Sequence, residues 1–249
     1  MRRPRMTPVE LATAAVLGTV LALVLLPLGR RAAEARGRDA CADNLKQIGL
    51  ALKMYAGENR GVYPPTNPIA HNWIPDPAAM FPAYLTDPGV FICPGSPFAA
   101  DHTFTRLGPA PRRRSPECIT SLFYVYTGFT ITDDETAFAL YQACLDGLMG
   151  AANGRMVNVA KPVFDGAPPS GGFGQAGIPV VWDRVGLRNA DFSHRAPIGG
   201  NVLHMDGHVA FIPFDHRNNS RYFPMTQISA ETFGSIVPPP PPGCTPLLR

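Results

Sequence analysis

The residue types that do chemistry are concentrated toward the C-terminal end of the chain. His204, Asp206 and His208 alternate in the run NVLHMDGHVAFI, with Asp183, His194 and Asp215 close by in sequence. Six histidines and these carboxylates raise the question of a hydrolytic metal site. The local pattern argues against one. Asp206-Gly207 between two apolar alternating runs is a hairpin signal, because a type I′ turn needs positive φ at both central residues. A two-residue turn pairs Met205 with His208, His204 with Val209 and Val202 with Phe211. His204 and His208 then point to opposite faces of the sheet, where one ion cannot easily take both rings. No transition-metal site is expected. Calcium held by loop carboxylates and carbonyls suits the composition better, but no EF-hand-like run of oxygens occurs and no cofactor is expected.

Covalent catalysis has no better footing. The chain contains no Gly-x-Ser-x-Gly, no His-Glu-x-x-His and no carboxylate pair at a useful spacing. Gly166 to Gly177 is glycine-rich but lacks the Lys-Ser/Thr of a phosphate cradle, so it reads as a loop. The chain is therefore not expected to be an enzyme. A net charge of +3, gathered in local clusters, also excludes a strongly basic nucleic-acid binder. Arg112 to Arg114 lie between prolines and read as a solvated loop. Five cysteines with no Cys-x-x-Cys do not make a zinc knuckle; in an oxidising compartment they form disulfides, with one left over.

The elements that must position these residues begin with a membrane segment. Leu11 to Gly29 is 19 residues without a charge, long enough to span a bilayer. Arg2, Arg3 and Arg5 precede it, which places the N-terminus in the cytoplasm and the bulk of the chain outside the inner membrane. A cleaved signal peptide is the rival reading; the length of the run and the helix formers that follow it favour an anchor. Arg30 to Tyr55 has no proline, and Leu45, Ile48, Leu52 and Tyr55 fall on one helical stripe, with Gly57 and Gly61 as a stop. One helix of about 45 residues fits the pattern, as does an anchor followed by a separate amphipathic helix.

Beyond residue 60, prolines 64, 65, 68, 75, 77, 82 and 88 prevent long helices. Leu122 to Tyr126 and Ile178 to Trp182 read as strands. Thr132-x-x-Glu135 opens a helix with Ala137, Tyr141, Cys144 and Leu148 on one face. Pro238 to Pro242 form a polyproline II stub in an exposed tail.

Three segments carry a resemblance to a known family. RMTPVELATAAVLGTVLALVLLP is similar to the leader of type IV pilins and type II secretion pseudopilins, whose first mature residue corresponds to Met6 and whose fifth, a Glu, corresponds to Glu10. Arg5 stands where that family's peptidase takes Gly. Cys41, Asn44, Leu45, Lys46, Gln47, Ile48, Gly49 and Tyr55 match the Cys-x-x-Asn-Leu-Lys-Gln-Ile-Gly helix of the pseudopilin-like proteins of planctomycetes and verrucomicrobia, and AYLTDPGVFICPGSP, with Cys93, resembles their second signature. His194, Gly199, Gly200, Asp206, Gly207 and His208 resemble the prepilin-processing-associated motif in which His precedes Asp-Gly. Eleven residues separate His194 from Asp206, two more than that motif usually has.

The resemblance implies an α+β, pilin-like fold: a leader over 1–5, the membrane part of the helix over 6–29, its outer half over 30–57, a loop-rich head over 58–235 and a Pro-rich tail over 236–249. It implies a structural subunit that assembles through its N-terminal helix with other pilin-like subunits, processed by prepilin peptidase and built on an inner-membrane assembly platform. The head would lie in the periplasm or outside the cell. In the family Glu10 would pair with the free amine at Met6 of an adjacent subunit. The alternative is a tethered head that does not polymerise and binds envelope or polysaccharide ligands. Because Cys41 and Cys93 lie in the two signatures, a bridge between them is expected, with Cys118 to Cys144 as a second.

Overall fold

The computed structural model describes residues 7–100, 103–108, 113–145, 174–215, 222–236 and 239–246. Arg5 and Met6, Arg112, Leu148, Pro238 and most of the 166–177 loop lie outside the described residues.

Helix α1 runs without interruption over Pro8–Glu58, 51 residues, through Pro27. One continuous helix therefore replaces the alternative of an anchor and a separate amphipathic helix. Its start is a capping box. The Thr7 hydroxyl accepts from the Glu10 amide at 3.3 Å, and the Thr7 amide donates to Glu10 Oε2 at 2.8 Å. Pro8 at the first helical position costs nothing, since its missing N–H would have no partner inside the helix. At the other end Gly57 stays helical. Asn59 is the cap, and Gly61, at φ 82°, turns the chain while its amide bonds Ala56 O at 2.7 Å.

The head is an antiparallel sheet between two layers. Strands β1 (Tyr124–Val125), β2 (Pro179–Asp183), β3 (His194–Arg195), β4 (Ile198–His204) and β5 (Val209–Pro213) make five strands, in which β4 pairs with β2, β3 and β5. Alternation along the strands divides the core in two. Val181 and Leu203 join Leu45, Ile48 and Leu52 of α1 on one side. Trp182 and Val202 join Trp73, Phe192, Met225 and Phe233 on the other, beneath α3 (Asp134–Leu145) and α4 (Gln227–Ser229). A short α2 (Pro77–Met80) lies before the sheet in the chain. A side chain on Gly49 would meet Leu203 Cδ2 at 2.9 Å, so a glycine there lets α1 lie close against β4. This is the α+β arrangement, long apolar helix and small antiparallel sheet, that the resemblance implied.

Three local expectations are corrected. The β4–β5 hairpin pairs Leu203 with Val209, Val202 with Ala210 and Asn201 with Phe211, one residue away from the two-residue-turn register. The turn has three residues: the Gly207 amide bonds His204 O at 2.8 Å, His204 N bonds His208 O at 2.9 Å, and Gly207 has φ 101°. Asp206 does not adopt positive φ; its Oδ1 instead accepts the His208 amide at 3.0 Å, which selects a turn with a bulge over type I′. Consequently His204 and His208 share a face, with rings stacked at 4.2 Å and 4°. Asp133, not Thr132, caps α3, accepting the Thr136 amide at 2.8 Å on Oδ1.

The last correction concerns the tail. Cys118 is bonded to Cys244, not to Cys144, which is a free thiol. The Pro-rich segment folds back on the head, where the Thr245 amide donates to Thr105 O at 2.8 Å and the Leu107 amide to Gly243 O at 2.7 Å. Backbone pairing to the 105–107 segment brings Cys244 within reach of Cys118 and removes both from solvent.

Candidate functional site

Three of the residues that carry the resemblance, Cys41, Cys93 and His194, meet at one place in the head. Cys41 of α1 is bonded to Cys93, which follows the 3-10 turn Pro88–Phe91, and His194 of β3 lies against that bond with Nε2 3.6 Å from Cys93 Sγ. His194 has no exposed surface and Asp183 only 1%. A buried carboxylate needs compensation, since loss of hydration costs several kcal/mol per ion even after relaxation (about that order). Here His194 Nε2 lies 3.2 Å from Asp183 Oδ2, and the same oxygen accepts from the Asn201 amide at 2.6 Å and from Asn201 Nδ2 at 3.0 Å. Asn201 Nδ2 also reaches Arg38 O of α1 at 3.2 Å. Two buried atoms of this cluster, Asp183 Oδ1 and His194 Nδ1, have no hydrogen-bond partner among the described residues.

The glycines of the motif explain how the backbone reaches this cluster. A Cβ on Gly200 would meet Asp183 Cβ and Met225 Cε, each at 2.9 Å, and one on Gly199 would overlap Ile212 O. Only bare backbone lets β4 pass close enough for the Asn201 amide to reach Asp183. Asp183 sits at the end of the fully buried strand PVVWD.

The Asp206-Gly207-His208 end of the motif lies elsewhere. Lys53 Nζ of α1 donates to Asp206 O at 2.6 Å, and Asp206 Oδ1 takes His208 Nδ1 at 2.7 Å. Arg38 and Lys53 are fifteen positions apart on α1, about 22 Å at 1.5 Å per residue. The motif therefore does not converge on a single reactive centre. Its two ends are separate clasps on one helix: His194 with Asn201 grips the Arg38–Cys41 turn, and the hairpin tip grips Lys53. Burial and the neighbouring His208 hold the His204 ring below its ordinary pKa, opposed by Asp206.

Glu10 lies far from both clasps in the chain, on the exposed apolar half of α1, and its carboxylate is engaged by the Thr7 amide. Cys144, at the end of α3, is half-buried, and burial pushes its thiol up to about 11.

Chemically the buried cluster is suited to holding rather than turnover. Its imidazole cannot meet a substrate unless the head opens, and the nearest sulfur is already in a covalent bond. Among the described residues, Cys41, Cys93 and His194 form the one group of three or more His, Cys, Asp or Glu ligands that converge, all within 4.8 Å of one another. Of the two residues that complete the cluster, Asn201 was not among the expected site residues, and Asp183 entered only as a carboxylate of the hydrolytic metal site that the hairpin pattern argued against. α1 is the one helix among the described residues long and apolar enough to cross a membrane. Comparison with protein-family models, with curated proteins and with solved structures finds no match to this chain.

Proposed function

We propose that this chain is a structural, pseudopilin-like subunit, anchored by α1 in an inner membrane and assembling through that helix into a pilus-like filament of a type II secretion or type IV pilus-like system. The observation that carries the reading is the division of one uninterrupted helix. From Val9 to Leu28 its large apolar side chains are exposed, whereas Leu45, Ile48 and Leu52 are sealed against the sheet. The outer half makes α1 a rigid extension of the head. The inner half can exchange lipid contacts for contacts with other helices at small net cost, because lipid tails are as apolar as leucine. Its partners are then other subunits, the peptidase that processes the leader and the assembly platform, with the head outside the cytoplasm. The burial of His194 supports a structural role over a catalytic one.

The capping box favours a second reading, a membrane-tethered head that does not polymerise and binds envelope or polysaccharide ligands. In that case Glu10 needs no amine from a neighbouring subunit, because the Thr7 amide already holds it. The N-terminal mass of the chain purified from its native membrane separates the two. A chain beginning at N-methylated Met6, recovered with filament or secretion components, supports assembly. An intact leader with Arg5 retained, and no such components, overturns it in favour of the tethered head.

A further inference from the structure

We propose that in its dithiol state the head binds one zinc-class divalent ion through Cys41, Cys93, His194 and Asp183. Three of these donor atoms lie within 4.8 Å of one another, the two sulfurs bonded to each other; reducing that bond lets them part to the roughly 3.3–3.8 Å between ligand atoms around a tetrahedral zinc ion. Asp183 lies outside that group of three, but its Oδ2 stands 3.2 Å from His194 Nε2 and its Oδ1 has no partner among the described residues, so the carboxylate fills the fourth position by turning toward the sulfurs. Two sulfurs, one imidazole nitrogen and one carboxylate oxygen suit zinc over calcium or magnesium, which take oxygen ligands.

Both cysteines are thiols when the chain is made, so no reductant is needed to reach this state. One ion displaces two thiol protons, forming two metal–sulfur bonds, and His194 offers the lone pair of Nε2, the ring nitrogen 3.6 Å from Cys93 Sγ. The ion and the disulfide are alternative clamps, since both join α1 to the loop carrying Cys93. The ion additionally ties in β3 through His194 and β2 through Asp183. The site is closed to solvent, as a structural zinc site is, and the ion enters as the head folds.

The test uses the full chain in detergent, carrying Cys118→Ser, Cys144→Ser and Cys244→Ser and reduced with a phosphine, which takes up oxygen from water as it converts the disulfide to two thiols. Cobalt(II) is the probe. The expected result is one cobalt per chain, with thiolate-to-cobalt charge transfer and the intense visible bands of a tetrahedral ion. The oxidised chain takes none, and Asp183→Asn or His194→Gln weakens binding at least tenfold. Absence of these bands from the reduced chain, or binding unchanged by both substitutions, overturns the proposal. Should the triple variant fail to fold, Tm decides. Zinc raises the Tm of the reduced wild-type chain but not that of Cys41→Ser/Cys93→Ser, which keeps the other three thiols; equal rises in both overturn the site.

Discussion

The two halves of α1 share one backbone and differ in everything that covers them. Leu17 in the first half is 69% exposed, while Leu45 in the second is fully buried between the helix and the sheet. Both halves are good helix, so local propensity does not distinguish them. The second half is closed by its own chain: a disulfide at Cys41, the Asn201 contact to Arg38 O, and the Lys53 contact to the hairpin tip. The first half has no such closure among the described residues, and its leucines are exposed. One helix can thus be closed by its own head along one half and leave a contiguous apolar surface exposed along the other, and a surface of that kind marks a place of contact with membrane or partner.

The most severe test of this comparison places the same charge in both halves. Leu45→Asp puts an unpaired carboxylate into the core and costs the head more than about 4 kcal/mol, read as loss of its cooperative melt in detergent. Leu17→Asp leaves that melt unchanged and instead weakens membrane integration by about 3 kcal/mol, read by membrane fractionation. Equal damage to the head from both would mean that the halves are not independent.

Next in size is the covalent clamp. Replacing both Cys41 and Cys93 with Ala opens a loop closed across 52 residues, a loss of about 4 kcal/mol in the chain-entropy account. The outer half of α1 should then gain amide hydrogen exchange first around Arg38 to Leu45, while exchange in the 11–29 stretch stays as it was.

Glycine substitutions sharpen the contrast with a smaller effect. A Cβ on Gly37 would stand 2.8 Å from Gly95 Cα, so Gly37→Ala forces α1 off the head and costs about 1–3 kcal/mol of overpacking. Gly29 faces open space in the other half, and Gly29→Ala leaves the denaturant midpoint of the head where it was. Only the Gly37 variant should move that midpoint, downward. Gly18→Leu, likewise in open space within one subunit, tests assembly: the head is unaffected, and loss of self-association would place a neighbouring helix against that position.

The smallest effect is set by pH at the far clasp. The folded-state pKa of His204 is lowered, first by burial and then by His208, with Asp206 opposing and Lys53 bonded to the same turn. Between that lowered value and the ordinary value of 6.5 the unfolded chain binds more protons than the folded head. The contribution is therefore fully present above the ordinary value and is lost as pH falls through this window. Amide protection factors, which remove the intrinsic pH dependence of exchange, should fall in β4 and β5 on mild acidification, and His204→Phe should remove that fall.

Much of the architecture was legible before the structure because it rests on periodicity. The stripe Leu45, Ile48, Leu52, the uncharged run from Leu11 to Gly29 and the strands near Tyr124 and Val181 all follow from side chains repeating at helical or strand spacing. The register of the hairpin was not legible. Asp-Gly suits either a two-residue or a three-residue turn, and the choice fell to the Asp206 side chain, which holds the His208 amide. That single-residue shift brought two imidazoles into a stack on one face. The second disulfide was equally hidden. Cys118 and Cys244 lie 126 residues apart, and only the return of the tail to Thr105 and Leu107 brings them together.

By itself the amino-acid sequence determined that the chain carries an uncharged apolar run followed by an amphipathic helical stripe, a loop-rich α+β head, and cysteines suited to cross-linking. These are local properties, because hydrophobic period, chain length without charge and proline spacing act over a few turns of backbone. Tertiary structure decided which distant groups share a site. Asp183, His194, Asn201 and Cys93 come from separate segments, and their meeting beside Cys41 depends on β4 passing Asp183 at two bare glycines. Such proximity is set by packing across the whole head, and no short window of sequence contains it.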